Sequence, residues 1–433
     1  MMGSVRGEGV VITGVGPISS IGIGKERFWS ALMEGRVGAR RIDFDWLDKR
    51  IKTRVGAPVD DFDPTAFGIE EREARLLDPA TQFAIAAARM ALEDAGLALE
   101  PTEGRKPVLR VLEIDSERAG VILGTGVGGL ITVERSHRNW VGKGPLTGVS
   151  RYALPMLIPN AVPAQVAIKY GLKGECKAVA TACAAGTMAI GDAWRLLRDG
   201  ELDIVLAGGV ERVLSDADGY GLIGFDLLRT VSTRNDDPQS ASRPFDADRD
   251  GFVMSEGAGI VVLEREAHAR ARGARIYARI DGYAATCDAH SMMQLEPSGD
   301  QMVRVMRRAL AAADAAPDEI GYVNAHGTST RLNDPTESKA LHQVMGNRVW
   351  DTLVSSTKAM TGHAIAASGA LEVITTAMSL ADEVAHRCVN LQNPDPECDL
   401  NLPRKNQPLR DLAALSNSFG FGGHNASLVL RAS

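Results

Sequence analysis

The chain of 433 residues is 45% hydrophobic and 24% charged, with a formal net charge of −7 at pH 7. This balance is typical of a globular protein with room for two hydrophobic cores, at roughly 150 residues per domain. The acidic charge argues against nucleic acid as the main partner, and without a run of about 18 apolar residues we expect no membrane span.

Short β-branched runs alternate with alanine-rich stretches of helical periodicity along the chain. The predicted strands are Val10–Thr13, Ala119–Leu123, Ala178–Ala180, Ile204–Ala207, Ile260–Leu263, Ile276–Ile280, Tyr322–Asn324, Val354–Ser356, Ala413–Leu415 and Ser427–Leu430. The predicted helices are Thr81–Ala95, Thr187–Leu197, Met302–Ala313 and Gly369–Leu380. This alternation predicts an α/β fold with buried, mostly parallel sheets covered by helices. A boundary near residue 265 divides the chain into an N-terminal half, 1–265, and a C-terminal half, 266–433.

One charged segment interrupts this alternation, at residues 234–250 (RNDDPQSASRPFDADRD). Its Asp, Ser and Pro content predicts a turn-rich loop rather than a helix or strand. Because long loops inside compact domains are more often functional than not, we expect this loop to serve a site.

The cysteines are spread along the chain without a CxxC pair; they are Cys176, Cys183, Cys287, Cys388 and Cys398. That usage suits a reducing compartment with at most one reactive thiol. The N-terminal stretch also lacks the apolar region of a signal peptide. We therefore expect a cytoplasmic protein.

Cys183 is the first candidate for chemistry, within residues 181–186 (TACAAG). This segment joins a predicted strand to a predicted helix, so the thiol lies at a helix N-terminus. Free N–H groups and the helix dipole there favour the thiolate, which is the form that attacks a thioester. In isolation, a small buried structural cysteine would have the same pattern.

Three further polar clusters also follow predicted strands. They are 324–330 (NAHGTST), 355–363 (SSTKAMTGH) and 416–425 (SNSFGFGGHN). They carry His326, Lys358 with His363, and a glycine-rich turn. Strand ends in an α/β sheet converge on one edge, where sites form. A single histidine would more often be structural, but the clusters together predict one shared site.

These four motifs, in this order and spacing, resemble those of the β-ketoacyl-[acyl-carrier-protein] synthases of the elongating type, which have the thiolase-like fold. The resemblance runs from about Val10 to Leu430. It implies a five-layered α/β/α/β/α sandwich of two related halves. It also implies decarboxylative Claisen condensation of an acyl thioester with malonyl-[acyl-carrier-protein] in fatty-acid elongation, by a homodimer that requires no cofactor.

Resemblance and chemistry together assign the main roles. Cys183 accepts the acyl group from a carrier-protein thioester. Malonyl thioester then loses CO₂, and neutral His326 and His363 donate hydrogen bonds to the enolate oxygen. The carbanion attacks the acyl-cysteine, and the backbone N–H groups of Cys183 and Phe421 hold the oxyanion.

The resemblance also implies supporting roles. It pairs Lys358 with Glu337, so that this pair orients the histidines. Phe421 gates the acyl pocket, and Phe419 packs between the catalytic groups. The residues assigned to the pantetheine arm and the acyl channel are Thr328, Thr330 and Val127. The ligands of a structural monovalent-cation site are Asn324, Glu372, Ser416 and Asn417, since oxygen atoms suit a hard cation.

Several positions depart from the family pattern. His424 stands where many bacterial members carry Thr, and the pair Ala184–Ala185 follows the cysteine. Leu76 replaces a Lys in a helix that docks the acidic carrier protein in relatives. The basic residues that remain for docking are Arg72, Arg75 and Arg229. These departures leave acyl chain length and substrate preference open.

Other classes of protein share parts of this pattern. A type II polyketide ketosynthase that works with a chain-length-factor partner has similar motifs, so this alternative stays open. A non-catalytic chain-length factor would lack Cys183, and an initiating synthase would carry Asn in place of His363. Residues 124–129 (GTGVGG) match a dinucleotide-binding fingerprint. However, no acidic residue follows at the spacing of the ribose contact, which disfavours an oxidoreductase.

Overall fold

The computed structural model describes residues 8–43, 49–102, 109–214 and 219–433. The strands in these ranges are β1 Val10–Ser19, β2 Gly22–Ile23, β3 Arg40–Arg41, β4 Val55–Gly56, β5 Leu99–Pro101, β6 Leu109–Val111, β7 Ala119–Gly124, β8 Cys176–Val179, β9 Ile204–Glu211, β10 Gly257–Arg265, β11 Ala278–Cys287, β12 Tyr322–Asn324, β13 Leu353–Ser355, β14 Val384–Ala385, β15 Gln407–Pro408, β16 Ala413–Gly420 and β17 His424–Arg431.

The α-helices in the same ranges are α1 Lys25–Glu34, α2 Glu71–Ala74, α3 Pro79–Asp94, α4 Leu130–Lys143, α5 Pro145–Gly148, α6 Ala153–Leu157, α7 Ala161–Tyr170, α8 Ala185–Arg198, α9 Tyr220–Leu227, α10 Glu266–Ala271, α11 Asp300–Ala312, α12 Asn333–Met345, α13 Lys358–Thr361 and α14 Ala366–Ala381. None of these helices combines the length and the apolar character that crossing a bilayer requires.

Eleven strands form one sheet in the order β13-β12-β16-β17-β11-β1-β10-β9-β7-β8, with β2 beside β1. The two halves of this sheet repeat one plan. In the N-terminal half, β7 runs parallel to β8 and β9, and β10 pairs antiparallel with β9 and β1. In the C-terminal half, β12 runs parallel to β13 and β16, and β17 pairs antiparallel with β16 and β11. The halves meet where β1 pairs with β11.

The prediction of mostly parallel sheets is wrong, because β1, β10, β11 and β17 pair antiparallel with their neighbours. Continuous apolar strands indicate burial on both faces, which is usual for parallel sheets. Here helices cover both faces of the antiparallel strands as well, and every residue of β1 is buried. Continuous apolar runs in the sequence therefore indicate that a strand is buried, but not whether it is parallel or antiparallel to its neighbours.

The helices complete the α/β/α/β/α layering that the resemblance implied, in which the two halves of the sheet are the two β layers. Helices α8 and α14 pack against each other and against strands of both halves, so they form the central layer. Helices α3 and α7 cover one outer face, and α11 and α12 cover the other. Almost all of α14 is buried on every side, including its polar residues Ser368, Glu372, Thr375, Thr376 and Ser379. Polar side chains on α14 therefore point into the protein interior.

Candidate active site

Cys183 lies at the turn between β8 and α8, as predicted. A short 3-10 segment, Ala182–Ala184, leads directly into the helix. Ala182 has a φ of +48°, a left-handed conformation that is strained in any residue other than glycine. Such strain is common at functional sites. The turn places the side chain of Cys183 in the wall of a cavity of about 140 Å³.

His363 faces the thiol directly. The residue lies between α13 and α14, and its Nε2 is 3.1 Å from Cys183 Sγ. On the other side of the ring, Nδ1 is 2.9 Å from the hydroxyl of Ser368. Both histidines predicted for the site are buried, and the rings of His326 and His363 are 5.6 Å apart in an edge-to-face arrangement. The three groups share one pocket.

Lys358 fixes the tautomer of His326. Its Nζ lies 3.3 Å from His326 Nδ1 and donates to the backbone carbonyl of His326 at 2.7 Å. An ammonium group can only donate, so Nδ1 must accept and the ring proton lies on Nε2. His326 is therefore held as a hydrogen-bond donor at Nε2.

The expected ion pair of Lys358 with Glu337 is wrong. The lysine pairs instead with Glu372 of α14, and both side chains are buried. The carboxylate of Glu337 accepts the backbone N–H groups of His326 at 2.9 Å and Gly327 at 2.8 Å. Glu337 thus holds the loop that carries His326. The neighbouring helix, rather than the local motif, supplies the partner of Lys358.

The backbone of Phe421 approaches Cys183 as predicted. The N–H groups of Phe421 and of Cys183 itself donate to the sulfur and lower its pKa. A Cβ atom on Gly420 would lie only 3.1 Å from the backbone nitrogens of Cys183 and Ala184. Glycine at this position therefore lets the end of β16 approach the Cys183 turn so closely that the N–H groups of Phe421 and Cys183 can both face the reacting carbonyl.

The protonation states of the site follow from burial. Burial raises the pKa of Cys183 to about 11, although the charge of Lys358 lowers it. The backbone N–H of Cys183 at the helix terminus does lower the pKa, as expected, but burial outweighs it, so the thiol is protonated in the resting site. Burial and the charge of Lys358 lower the pKa of both His326 and His363 well below the usual value. Both imidazoles are neutral at physiological pH.

The remaining cavity wall combines polar and aromatic groups. Thr328 and Thr330 line it and share a hydrogen bond of 2.9 Å. Phe419 packs edge-on against the ring of His326 at 5.8 Å. Phe421 stacks on Phe225 with ring centroids 6.0 Å apart, which suits a gate.

Sequence reasoning missed the apolar part of the wall, formed by Phe225, Phe252 and Ile365. These residues carry no chemical signal in the sequence. Ile365 also has a φ of +46°, which is rare for a β-branched residue. Val127, predicted for the acyl channel, lies outside this cavity lining and is 48% exposed on the single chain.

The charged loop 234–250 forms hydrogen bonds with the segment that follows His326. Arg243 and Arg249 are each 3% exposed. The backbone N–H of Arg243 donates to the Ser329 hydroxyl, and Arg249 Nε donates to the carbonyl of Thr330 at 2.9 Å. The prediction of an irregular loop is correct, and its arginines hold the segment that follows His326.

The residues proposed for a monovalent cation contain a group of unpaired buried oxygens. Asn324 Oδ1, Glu372 Oε2 and Ser416 Oγ have no hydrogen-bond partner in the described structure. Asn324 and Ser416 are register partners on β12 and β16, and Asn324 Nδ2 donates to the carbonyl of Glu372. The side-chain oxygen of Asn417 accepts from Ser427 instead. Three of the four predicted ligands therefore fit a cation.

The basic residues predicted for carrier docking are exposed. Arg72 and Arg75 lie on and beside α2, where Arg75 pairs with Glu71. Arg229 follows α9 and precedes Thr230, which lines the cavity. Of the three arginines, Arg229 is the one next to a cavity-lining residue in the chain.

Comparisons with known proteins agree with this site. The family model "Beta-ketoacyl synthase, N-terminal domain" matches residues 7–269, and the model "Beta-ketoacyl synthase, C-terminal domain" matches residues 277–392. The chain is 42% identical to 3-oxoacyl-[acyl-carrier-protein] synthase 2 of Synechocystis sp., over 99% of both chains. It is 41% identical to the synthase of the same name from Staphylococcus aureus, over 98% of both.

Solved structures are similar over nearly the whole chain. A β-ketoacyl synthase from Burkholderia phymatum has a TM-score of 0.88 and 35% identity, over 98% of this chain and 100% of that one. A type II polyketide ketosynthase bound to its acyl carrier protein has a TM-score of 0.86 and 32% identity, over 99% of this chain and 100% of that one.

The chain belongs to the β-ketoacyl synthase family, as the motifs indicated. It is a condensing enzyme that transfers acyl groups, and the predicted thiolase-like fold is confirmed. The predicted reaction, formation of 3-oxoacyl-[acyl-carrier-protein] in fatty-acid elongation, is also confirmed.

Proposed function

We propose that Cys183 carries the acyl group during condensation and that His363 takes its proton. The thiol is protonated at rest, and the nearest base is the neutral imidazole of His363, whose Nε2 is 3.1 Å from Sγ. As the sulfur attacks the thioester, its proton moves to Nε2. The N–H groups of Cys183 and Phe421 stabilise the tetrahedral oxyanion that forms. The intermediate collapses with cleavage of the C–S bond to the carrier, and His363 passes its extra proton to the leaving carrier-protein thiolate, so the imidazole is neutral again.

The decarboxylation half-reaction uses both histidines. Loss of CO₂ from the malonyl thioester leaves negative charge on the thioester oxygen. Nε2 of His326 carries a proton because Lys358 occupies the other ring nitrogen, and Nε2 of His363 lies across the same pocket. Two neutral N–H donors aimed at the same oxygen stabilise the enolate. The carbanion then attacks the acyl group on Cys183.

One observation carries this assignment: the thiol of Cys183 and both imidazoles line a single cavity. The two half-reactions can be measured apart, by acylation of Cys183 in mass spectrometry and by CO₂ release from malonyl-[acyl-carrier-protein]. Substitutions that remove one half-reaction and keep the other test the roles. The cytoplasmic location expected from the cysteine usage stays a prediction.

A role in polyketide synthesis is the second candidate. A type II polyketide ketosynthase and the ishigamide ketosynthase/chain-length-factor structure have TM-scores of 0.86 and 0.87 with this chain, each at 32% identity. These TM-scores are close to the TM-score of 0.88 for the β-ketoacyl synthase from Burkholderia phymatum. Extension of saturated acyl carriers by the chain alone favours elongation of fatty acids. Iterative assembly of poly-β-keto products with a second subunit favours the alternative.

We propose that Arg229 docks the acidic carrier protein at the cavity mouth. We expect Arg229→Glu to raise the KM for acyl-[acyl-carrier-protein] about tenfold, because an attractive charge becomes repulsive. Acylation by a small acyl-pantetheine thioester should be unchanged. Arg410→Glu, at an exposed arginine near β15, is the matched control. An equal rise in KM for both variants would exclude a local docking role.

We propose that the enzyme is a homodimer. Strand β8 pairs only with β7 in the described sheet, so one of its edges is open. Exposed apolar side chains cluster on the nearby helices, and those most exposed are Trp140, Val141, Leu154, Ile168, Tyr220 and Leu227. A second copy of the chain would cover both the apolar surface and the edge strand.

Light scattering should give twice the chain mass for the wild type. We expect Leu154→Glu to yield a monomer, because a charge would enter the apolar interface. Trp350→Glu places the same charge on an exposed aromatic residue near the other sheet edge and should leave the dimer intact. A monomeric wild type would remove the proposal.

We propose that a monovalent cation stabilises the fold beneath the catalytic loop. When bound, it would supply a positive charge to the unpaired oxygens of Asn324, Glu372 and Ser416. Thermal unfolding should occur a few degrees higher in KCl than in choline chloride of equal ionic strength. Ser416→Ala should reduce this difference. The same unfolding temperature for the wild type in both salts would exclude the site.

A further inference from the structure

The hydroxyl of Ser368 lies between the backbone and the catalytic imidazole of His363. Ser368 is in the first turn of α14 and is 3% exposed. Its Oγ is 2.9 Å from His363 Nδ1 and 2.8 Å from the backbone nitrogen of Ala364. Ser368 lies five residues beyond the end of the 355–363 motif. At this position the hydroxyl can determine which ring nitrogen of His363 carries the proton.

Counting donors and acceptors fixes the direction of these hydrogen bonds. The Ala364 N–H can only donate, so Ser368 Oγ accepts there. Within the described residues, Oγ makes one other hydrogen bond, to His363 Nδ1. If Nδ1 carried the ring proton, the buried hydroxyl proton would have no acceptor, which is unfavourable. The hydroxyl therefore donates to Nδ1, and the ring proton of His363 lies on Nε2.

We propose that Ser368 is a positioning residue for decarboxylation, which keeps the proton of His363 on Nε2 where it faces the thioester oxygen. The inference rests on the proposed role of His363 as an enolate-stabilising donor. It gives the two histidines the same tautomer by different means. For His326 the ammonium of Lys358 is the donor to Nδ1. For His363 the donor is an uncharged hydroxyl.

The two arrangements differ in one consequence. The ammonium of Lys358 cannot accept, so His326 stays a donor at Nε2 throughout. The hydroxyl of Ser368 can rotate and accept from Nδ1–H. In the minor tautomer, with the ring proton on Nδ1, Nε2 is free and receives the proton of Cys183 during acylation, while Oγ stabilises the charged ring. Without the hydroxyl, His363 can still receive that proton. Decarboxylation therefore depends on Ser368 more than acylation does.

The test compares Ser368→Thr with Ser368→Val, which have nearly the same shape and differ in the hydroxyl. CO₂ release from malonyl-[acyl-carrier-protein] and acylation of Cys183 are measured for each enzyme. We expect the Val variant to release CO₂ about tenfold more slowly, with acylation within about threefold of wild type. The Thr variant should be within about threefold of wild type in both half-reactions.

Two controls separate this inference from the function on which it rests. Ser379→Ala removes another buried hydroxyl of α14, one without a hydrogen-bond partner, and should change neither rate. His363→Ala should lose CO₂ release; if it does not, the role of His363 itself is wrong. If His363→Ala loses CO₂ release but the Thr and Val variants release CO₂ at equal rates, the proposal for Ser368 is overturned. Equal losses of both half-reactions in the Val variant would also overturn it.

Discussion

Replacing Cys183 by alanine should abolish condensation, with a loss of at least about 10⁴-fold. Among the residues that the structure describes, the sulfur of Cys183 is the nucleophile placed between the two N–H groups and His363, so the acyl-enzyme requires it. CO₂ release from malonyl-[acyl-carrier-protein] should persist, because His326 and His363 remain. The variant therefore separates the two half-reactions. Mass spectrometry of the acylated protein and a CO₂ assay measure them.

The other cysteines are the controls for this variant. Alanine replacements at these positions should retain condensation; they are Cys176, Cys287, Cys388 and Cys398. Cys287 is the most demanding control, because its Sγ lies 3.7 Å from the carbonyl of Gly422 in the turn that carries Phe421. Retained condensation in Cys183→Ala, or its loss in Cys287→Ala, would contradict the assignment of the nucleophile.

Replacing His363 by alanine should lower malonyl decarboxylation by about 10²–10³-fold, the usual effect of losing one oxyanion donor. Acylation of Cys183 should continue at a reduced rate, because the sulfur keeps the N–H groups of Phe421 and Cys183. Decarboxylation is affected more than acylation because it creates negative charge on the enolate oxygen, and both imidazoles stabilise that charge. CO₂ release and the mass of the Cys183 peptide are the two measurements.

His386 provides a matched control for His363. It is also buried, and burial lowers its pKa to about 4. Its ring contacts Ser355 and the carbonyl of Arg387 and does not line the cavity. His386→Ala should keep the ratio of the two half-reactions. A His363→Ala enzyme that cannot be labelled at Cys183 would contradict the division of roles.

The strand-end rule predicted the site well. His326, Lys358 and Gly420 follow or end β12, β13 and β16, which are adjacent and parallel in the sheet. The carboxyl ends of these strands therefore meet at one edge, as sequence reasoning requires. The predicted bounds of β12, Tyr322–Asn324, match the structure. Local sequence patterns were therefore sufficient to predict which side chains meet at the ends of these three parallel strands.

Strand bounds failed where polar residues are buried. The prediction ended the strand that begins at Ala413 with Leu415, but β16 continues to Gly420. Its polar residues Ser416 and Asn417 are fully buried beside the site. Apolar periodicity does not detect a buried polar residue, so the end of the strand was missed.

The partner of Lys358 could not be predicted from the motif. Both Glu337 and Glu372 lie near the lysine in the fold, and only the packing of α14 decides which one forms the ion pair. Similarly, Ser368 lies in an alanine-rich helix and carries no sequence signal of its own. Its role depends on the distance to His363, which is a tertiary property.

The most direct test of the central claim is mass spectrometry of the Cys183 peptide after incubation with acyl-[acyl-carrier-protein] of increasing chain length. We expect the Cys183 peptide to gain one acyl group. Malonyl-[acyl-carrier-protein] should then remove this group, with release of CO₂ and formation of the 3-oxoacyl product. Acyl groups found only on another residue, or a Cys183 adduct that malonyl-[acyl-carrier-protein] does not discharge, would contradict it.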